Sequence, residues 1–227
     1  MVKENGKQRA TATIALLGNP NCGKSSLFNQ LTGLNQKIGN FPGVTVDKKY
    51  GTLPLESGRR VTLVDFPGAY SFFPTAMDER IVVQTLLNAD SEDHPDAILY
   101  VADITKLEKH LFFFSQLKDL GIPIALVLNM FDIAEKEGLQ LNDQRLAASL
   151  GVPIILISSR TGLGLNRIAP LVEHLLSLKQ NPPSDFKLSP EEKELAAAVS
   201  AVYPAANDYR ALLLAHHYEW LPFLQTT

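Results

Sequence analysis

The octapeptide Gly18-Asn-Pro-Asn-Cys-Gly-Lys-Ser25 sets two glycines, a lysine and a hydroxyl at the spacing of a phosphate-wrapping loop. Glycine lets the backbone pass close to a phosphate, and successive N–H groups at a helix start make an anion nest. Lys24 is expected to reach the β and γ phosphates and the Ser25 hydroxyl to ligate Mg²⁺. The contact set along this turn is Gly18, Asn19, Asn21, Cys22, Gly23, Lys24, Ser25 and Ser26. A chance Gly-rich turn before a helix would share these eight residues. The apolar run before it and the helical spacing after it favour the phosphate reading.

Further along, Asp65-Phe-Pro-Gly68 ends a strand-like run and opens a loop. Asp65 there suits Mg²⁺, the Gly68 N–H suits the γ phosphate, and Phe66 and Pro67 complete the contact. On its own the segment reads equally well as a strand-end turn. Asn129-Met-Phe-Asp132 is the specificity signal. A carboxylate at Asp132 would accept the N1 and N2 hydrogens of guanine, whereas adenine offers an acceptor at N1 and nothing at C2. Sites built on such paired groups discriminate by roughly 10⁴ or more. Asn129 is expected to tie this loop to the phosphate loop, with Met130 beside the base; standing alone, the tetrapeptide would read as a helix N-cap at Asp132. The backbone of Ser158-Ser159-Arg160 is placed to meet guanine O6. Thr45, in a loop with Gly43 and Val44, can complete magnesium coordination and touch the γ phosphate, or be a surface residue in a Gly-Pro turn. Order is what joins these modest signals, each falling at the C-terminal end of an expected strand or in a long loop.

The elements that must position them follow from periodicity. Strands are expected at 13–17, 48–55, 60–65, 97–102, 122–128 and 153–157. Helices are expected from Lys24 to Gly33, Met77 to about Ala89, Lys106 to Leu120, Asn142 to Leu150 and Leu165 to Leu178. The alternation predicts an α/β fold: a mostly parallel six-stranded sheet with one antiparallel strand, helices on both faces and a short C-terminal helical appendage. Residues 33–47 and 66–76 read as irregular loops, and loops that long in a compact domain usually serve function. The domain reading is a flexible leader at 1–12, a nucleotide domain at 13–180, a Pro-rich linker at 181–190 and the start of a helical domain at 191–227. Its first helix should be capped by Ser189 with Pro190 at the first position, and a second helical stretch runs from Tyr209 to Leu224.

Composition excludes more than it assigns. In 227 residues, 45% are apolar and 20% charged, an ordinary globular balance. A net charge of −3 without a basic run gives no reason to expect nucleic acid as a partner. One cysteine allows no internal disulfide. No run approaches the roughly 20 apolar residues that span a bilayer, so the chain is expected to be soluble.

The motifs together resemble the FeoB family, whose members carry a cytosolic GTPase domain ahead of a ferrous-iron membrane transporter. The likeness lies in Gly18 to Gly33, Gly39-Asn-Phe-Pro-Gly-Val-Thr-Val46, Val64-Asp-Phe-Pro-Gly-Ala-Tyr-Ser71 and Leu128-Asn-Met-Phe-Asp-Ile-Ala134, and covers residues 12–178. It implies a Ras-like P-loop GTPase that binds GTP and GDP with Mg²⁺ held by Ser25, Thr45 and Asp65, and takes Lys24, Thr45, Gly68 and Asn21 as the residues acting on the reaction. It further implies K⁺ as an activator, bound by Asn21 and by backbone carbonyls of Gly39 and Phe41, a position where family members often carry Trp. The implied partner is a transmembrane iron permease of the same parent protein in the inner cell membrane, with this part in the cytoplasm; homo-oligomer formation is compatible with it. The appendage after 190 is shorter than usual for the family, which suggests an excised fragment. Ala69 departs from Ras-like proteins, which place a water-orienting Gln there; without it hydrolysis should be slow.

The competing assignment is an Era-like, ribosome-assembly GTPase, which shares the Asn-Pro-Asn turn. The acidic balance and Glu191-Glu192 weigh against the basic RNA-binding domain usual in that class. A further alternative is a switch module whose hydrolysis is incidental. Cys22 beside Lys24 at a helix start would allow a lowered thiol pKa, but reads first as a filler position. His110, His174, His216 and His217 have no metal-ligand spacing and read as surface or helix-end residues. Of Phe112-Phe113-Phe114, two are expected in the core and one partly exposed.

Overall fold

The computed structural model describes residues 11–33, 36–41, 46–178, 186–203 and 205–225. Its centre is a seven-stranded sheet of order β2-β3-β4-β1-β5-β6-β7. The strands are β1 (Thr13–Leu17), β2 (Gln36–Asn40), β3 (Asp47–Pro54), β4 (Arg60–Asp65), β5 (Ala97–Asp103), β6 (Ile124–Asn129) and β7 (Ile154–Leu156). β4, β1, β5, β6 and β7 are parallel neighbours, while β3 pairs antiparallel with both β2 and β4. One strand therefore opposes the rest in direction, but the expected count of six is corrected to seven. The added strand is β2, inside the segment read as loop. Gln-Lys-Ile-Gly-Asn has no apolar alternation because it is a sheet edge, paired with β3 alone and with Ile38 exposed. Gly43, Val44 and Thr45 lie outside the described residues.

Strand periodicity sorts the core onto two faces. Ala15, Leu17, Val64, Ile98, Tyr100, Leu126 and Leu128 point to one; Ile14, Leu16, Leu63, Leu99, Val101, Ala125 and Val127 point to the other. The first face is covered by α2 (Met77–Leu87) and α3 (Leu107–Asp119), the second by α1 (Lys24–Thr32) and α6 (Ile168–Ser177). Burial on both sides explains the near-continuous apolar runs of the central strands. α5 (Asp143–Leu150) packs beside β7. Sequence reading missed α4 (Phe131–Lys136), which is too short for a periodic signal and begins directly after β6 through Met130 at φ 64°.

The C-terminal helices complete the first face. α7 (Pro190–Val202) starts at a capping box: Glu192 N–H donates to Ser189 Oγ at 3.2 Å and Ser189 N–H to Glu192 Oε2 at 2.7 Å. α8 (Asp208–His217) ends well short of Leu224, the rest of the expected helix being two 3₁₀ turns around Leu221. Leu213, Leu214, Leu221 and Leu224 are buried in the same cluster as α2 and α3. The start of α8 also caps both helices: Asn207 Nδ2 donates to Asp119 O at 3.0 Å, and Arg210 Nη2 to Leu87 O at 2.8 Å.

Of the histidines read as surface or helix-end residues, His110 is corrected to the interior, and His217, at the end of α8, is buried as well. His110 is 5% exposed and His217 is 2% exposed. Burial lowers both ring pKa values, His217 to about 4 with the neighbouring His216 adding to the effect. Phe112 is exposed while Phe113 and Phe114 are buried, as expected.

Candidate functional site

Every motif residue on a strand end lies at the C-terminal edge of the parallel strands, where an open α/β sheet leaves its binding crevice. The phosphate loop spans from β1 to the first turn of α1. Gly23 has φ 83°, and a Cβ there would stand 2.2 Å from Asn129 Nδ2, so only glycine fits. Lys24 is buried, and its ammonium lies 2.6 Å from Asp65 Oδ1. Ser25 Oγ donates to the other oxygen, Asp65 Oδ2, at 3.0 Å. The three side chains sought for phosphate and magnesium thus meet at one carboxylate.

The loop after β4 is pressed onto the phosphate loop. A Cβ on Gly68 would lie 2.8 Å from Pro20 N and 2.9 Å from its Cγ, and Ala69 N–H donates to Gly18 O at 3.3 Å. Phe66 packs its ring 5.3 Å from that of Phe41, both buried. Farther out the loop leans on α8. The Phe73 ring lies 4.9 Å from His216 and 5.7 Å from His217, Phe72 lies 6.4 Å from Tyr209, and the Phe72 backbone hydrogen-bonds the His217 ring.

The Asn19 amide is used inside the fold. Its side chain is buried, with Nδ2 donating to Lys109 O at 3.2 Å and Oδ1 accepting from the Tyr100 hydroxyl at 2.8 Å. The amide thus anchors the phosphate loop to α3 and leaves only its backbone for ligand. Tyr100 was missed because its hydroxyl sits inside an apolar strand. Cys22 is also structural: burial raises its thiol to about 11 against the pull of Lys24, the opposite of activation.

At the other end, Asn129 joins three loops. Its Nδ2 donates to Cys22 O at 2.9 Å and to Ser159 Oγ at 3.1 Å, and its Oδ1 accepts from Ser159 N–H at 2.9 Å. Ser158 N–H is used within its own loop by Leu163 O at 3.0 Å. Of the three N–H groups expected to meet a base oxygen, only that of Arg160 is left without an acceptor among the described residues. Asp132, in the first turn of α4, has its carboxylate hydrogen-bonded by Arg160 Nη2 and by Arg160 Nε at 3.1 Å. Its carboxyl is held below the usual range by hydrogen bonding to Ser158 and then to Arg160. A cavity of about 820 Å³ opens here, of the size that takes a small ligand, lined by Gly23, Asn129, Asp132, Ser159 and Arg160 among others. Ser26, Asn29, Gln30 and Gly33 form its α1 wall. The last three were missed, although the spacing 26, 29, 30, 33 marks one helix face.

A family model described as Ferrous iron transport protein B matches residues 12–172. The chain belongs to the FeoB family. It is 43% identical over 159 residues to the Fe(2+) transporter FeoB of Leptospira biflexa, covering 70% of this chain and 22% of that protein. Against the Escherichia coli K12 transporter the identity is 43% over 160 residues, covering 69% and 20%. The chain thus spans about a fifth of the length of the curated relatives it matches. The cytosolic domain of Legionella pneumophila FeoB superposes with a TM-score of 0.77 at 31% identity, covering 95% of this chain and 92% of that one. That of Thermotoga maritima FeoB in a GMPPNP form superposes with a TM-score of 0.78 at 28% identity, covering 95% and 84%. The Ras-like GTPase fold of this FeoB domain is therefore shared with its solved relatives.

The metal positions can be tested against the donors present. Ser25 and Asp65 offer hard oxygen donors side by side, which suits Mg²⁺. For potassium, Asn21 lies exposed at φ 65° and its amide is tied to nothing among the described residues. Gly39 sits in the β2 ladder opposite Lys48, and Phe41 just past it. No helix among the described residues is long and apolar enough to cross a membrane.

Proposed function

We propose that this chain binds guanine nucleotide with Mg²⁺, hydrolyses GTP slowly, and acts as the nucleotide switch of a ferrous-iron transporter. The observation that carries this reading is Asn129, whose bonds to Cys22 and Ser159 set the Asp132 carboxylate and the phosphate loop on one cavity. In that frame Lys24 leaves Asp65 for the β and γ oxygens, Ser25, Asp65 and Thr45 hold the magnesium, and Gly68 N–H senses the γ phosphate. Bound magnesium supplies charge neutralisation on the phosphate oxygens. Gly43, Val44, Phe66, Pro67, Met130 and the Arg160 N–H complete the pocket. Calorimetry should find GDP bound roughly 10⁴ times more tightly than ADP, with Asp132→Ala erasing most of the difference. Equal affinities in the wild type would refute the assignment.

Ala69 can neither orient water nor give a proton, so cation charge near the phosphates is the remaining means of transition-state stabilisation. A potassium ion at Asn21, Gly39 and Phe41 fits that need. Single-turnover hydrolysis should be faster in KCl than in NaCl, and Asn21→Ala should remove the difference; equal rates in the two salts refute the potassium site. Residues 13–180 form the switch proper and 191–227 begin the helical part facing the permease, placing the chain on the cytoplasmic side of the cell membrane. Membership of the FeoB family favours this over an RNA-binding role.

A further inference from the structure

Asp132 does not face open space in this structure. One of its carboxylate oxygens, Oδ2, accepts from two nitrogens of one guanidinium, Arg160 Nε and Nη2. Those nitrogens flank a single carbon and carry a planar pair of N–H donors. Guanine presents the same chemical unit along its N1–C2–N2 edge, N–H and NH₂ on one carbon. The acceptor that would read the base is thus already answered by a side chain with the base's own donor pattern. The two residues come from different loops, after β6 and after β7, both lining the same cavity. Arg160 is 66% exposed at its side chain and Asp132 only 12%, so the arginine can swing out while the carboxylate stays in place.

We propose that Arg160 is an internal competitor for guanine, an arginine that occupies the base-reading carboxylate and must yield it to the nucleotide. The idea rests on the guanine reading above and deepens it. Binding then exchanges one guanidine-type contact for another, so Asp132 contributes selectivity at reduced net affinity. Only a ligand with donors facing the carboxylate compensates the loss of the arginine, so an adenine nucleotide, lacking them, leaves the pair in place. During release the arginine can retake the first oxygen to come free, which opens a fast route out for the base. An apparent dissociation constant equals the intrinsic one divided by the competent fraction. Exposed pairs of this kind shift equilibria by only about two- to fivefold.

The test is calorimetric titration with GDP, IDP and ADP of the wild type, Arg160→Ala and Asp132→Ala, together with stopped-flow release of a ribose-labelled fluorescent GDP. IDP keeps the N1 hydrogen and lacks the 2-amino group. Arg160→Ala should tighten GDP and IDP by the same factor, about two- to fivefold, leave ADP unchanged and slow GDP release. The gap between wild type and variant should narrow in 1 M salt, which screens the pair. Unchanged or weaker GDP binding in Arg160→Ala overturns the proposal, because the arginine would then be inert or a ligand to the base. Thermal melting of the variant confirms folding. If Asp132→Ala leaves GDP binding intact, the guanine reading itself has failed, a result distinct from failure of the competitor alone.

Discussion

Gly68 shows how little room a single position leaves. Its α-carbon is pressed against Pro20, so one added methyl would push the loop after β4 away from the phosphate loop. A displacement on the order of 1 Å in a group that positions reactants costs about 10²-fold in rate. Gly68→Ala is therefore expected to reduce single-turnover GTP hydrolysis by about 10²-fold while GDP affinity changes little. A variant hydrolysing at the wild-type rate would show that this contact does not set the loop. Cys22 carries the complementary lesson. Lys24 lies two residues on and a helix begins there, yet burial outweighs both and the thiol stays protonated. Local sequence names the neighbours of a group, but only packing decides which of them wins.

Among the elements, α8 owes part of its seat to a neutral histidine. His217 titrates at about 4 in the fold against 6.5 for an ordinary ring. Between those values the unfolded chain takes up a proton that the native chain refuses, so unfolding is favoured as pH falls. Stability contributed by His217 is complete above about pH 6.5 and is lost toward pH 4, to the order of 1–3 kcal/mol. Urea melts at pH 7 and pH 5 should show this slope, and His217→Phe should flatten it; an equal slope in the variant would remove His217 as the cause. His110, lowered in the same direction by burial, adds to the slope. Periodicity revealed the central strands because each is buried on both faces, and the start of α7 was legible from Ser189 and Pro190, to which the fold adds Glu192 as the other half of the cap. Periodicity missed β2, whose polar residues lie on an edge, and α4, which is held by its neighbours' backbones through Phe131 N–H to Ile157 O. The phosphate loop, Asp65, Asn129 and Asp132 were legible as motifs. The turning of Asn19 onto Tyr100, the burial of two histidines and the grip of Arg160 on Asp132 were not, because each depends on a partner far along the chain.

For the molecule as a whole, the C-terminal helices are part of the core that they cover. Four leucines after residue 210 are buried with α2 and α3, each contributing about 1.5–3 kcal/mol. Ending the chain at residue 185 should lower the melting temperature by about 10 °C or more and expose apolar surface to a dye such as ANS. An unchanged melt would mean that the two parts fold independently. The contact of Phe72 and Phe73 with α8 has a mechanical corollary. Only Ala69, Tyr70 and Ser71 separate Gly68 from Phe72, a tether of roughly 13–14 Å when fully taut. Its slack is the whole free stroke of the loop. Past that length, recoil at the phosphate end must either tear the rings from their seat or haul the last helix along, and a load on that helix would be felt in return at the phosphate.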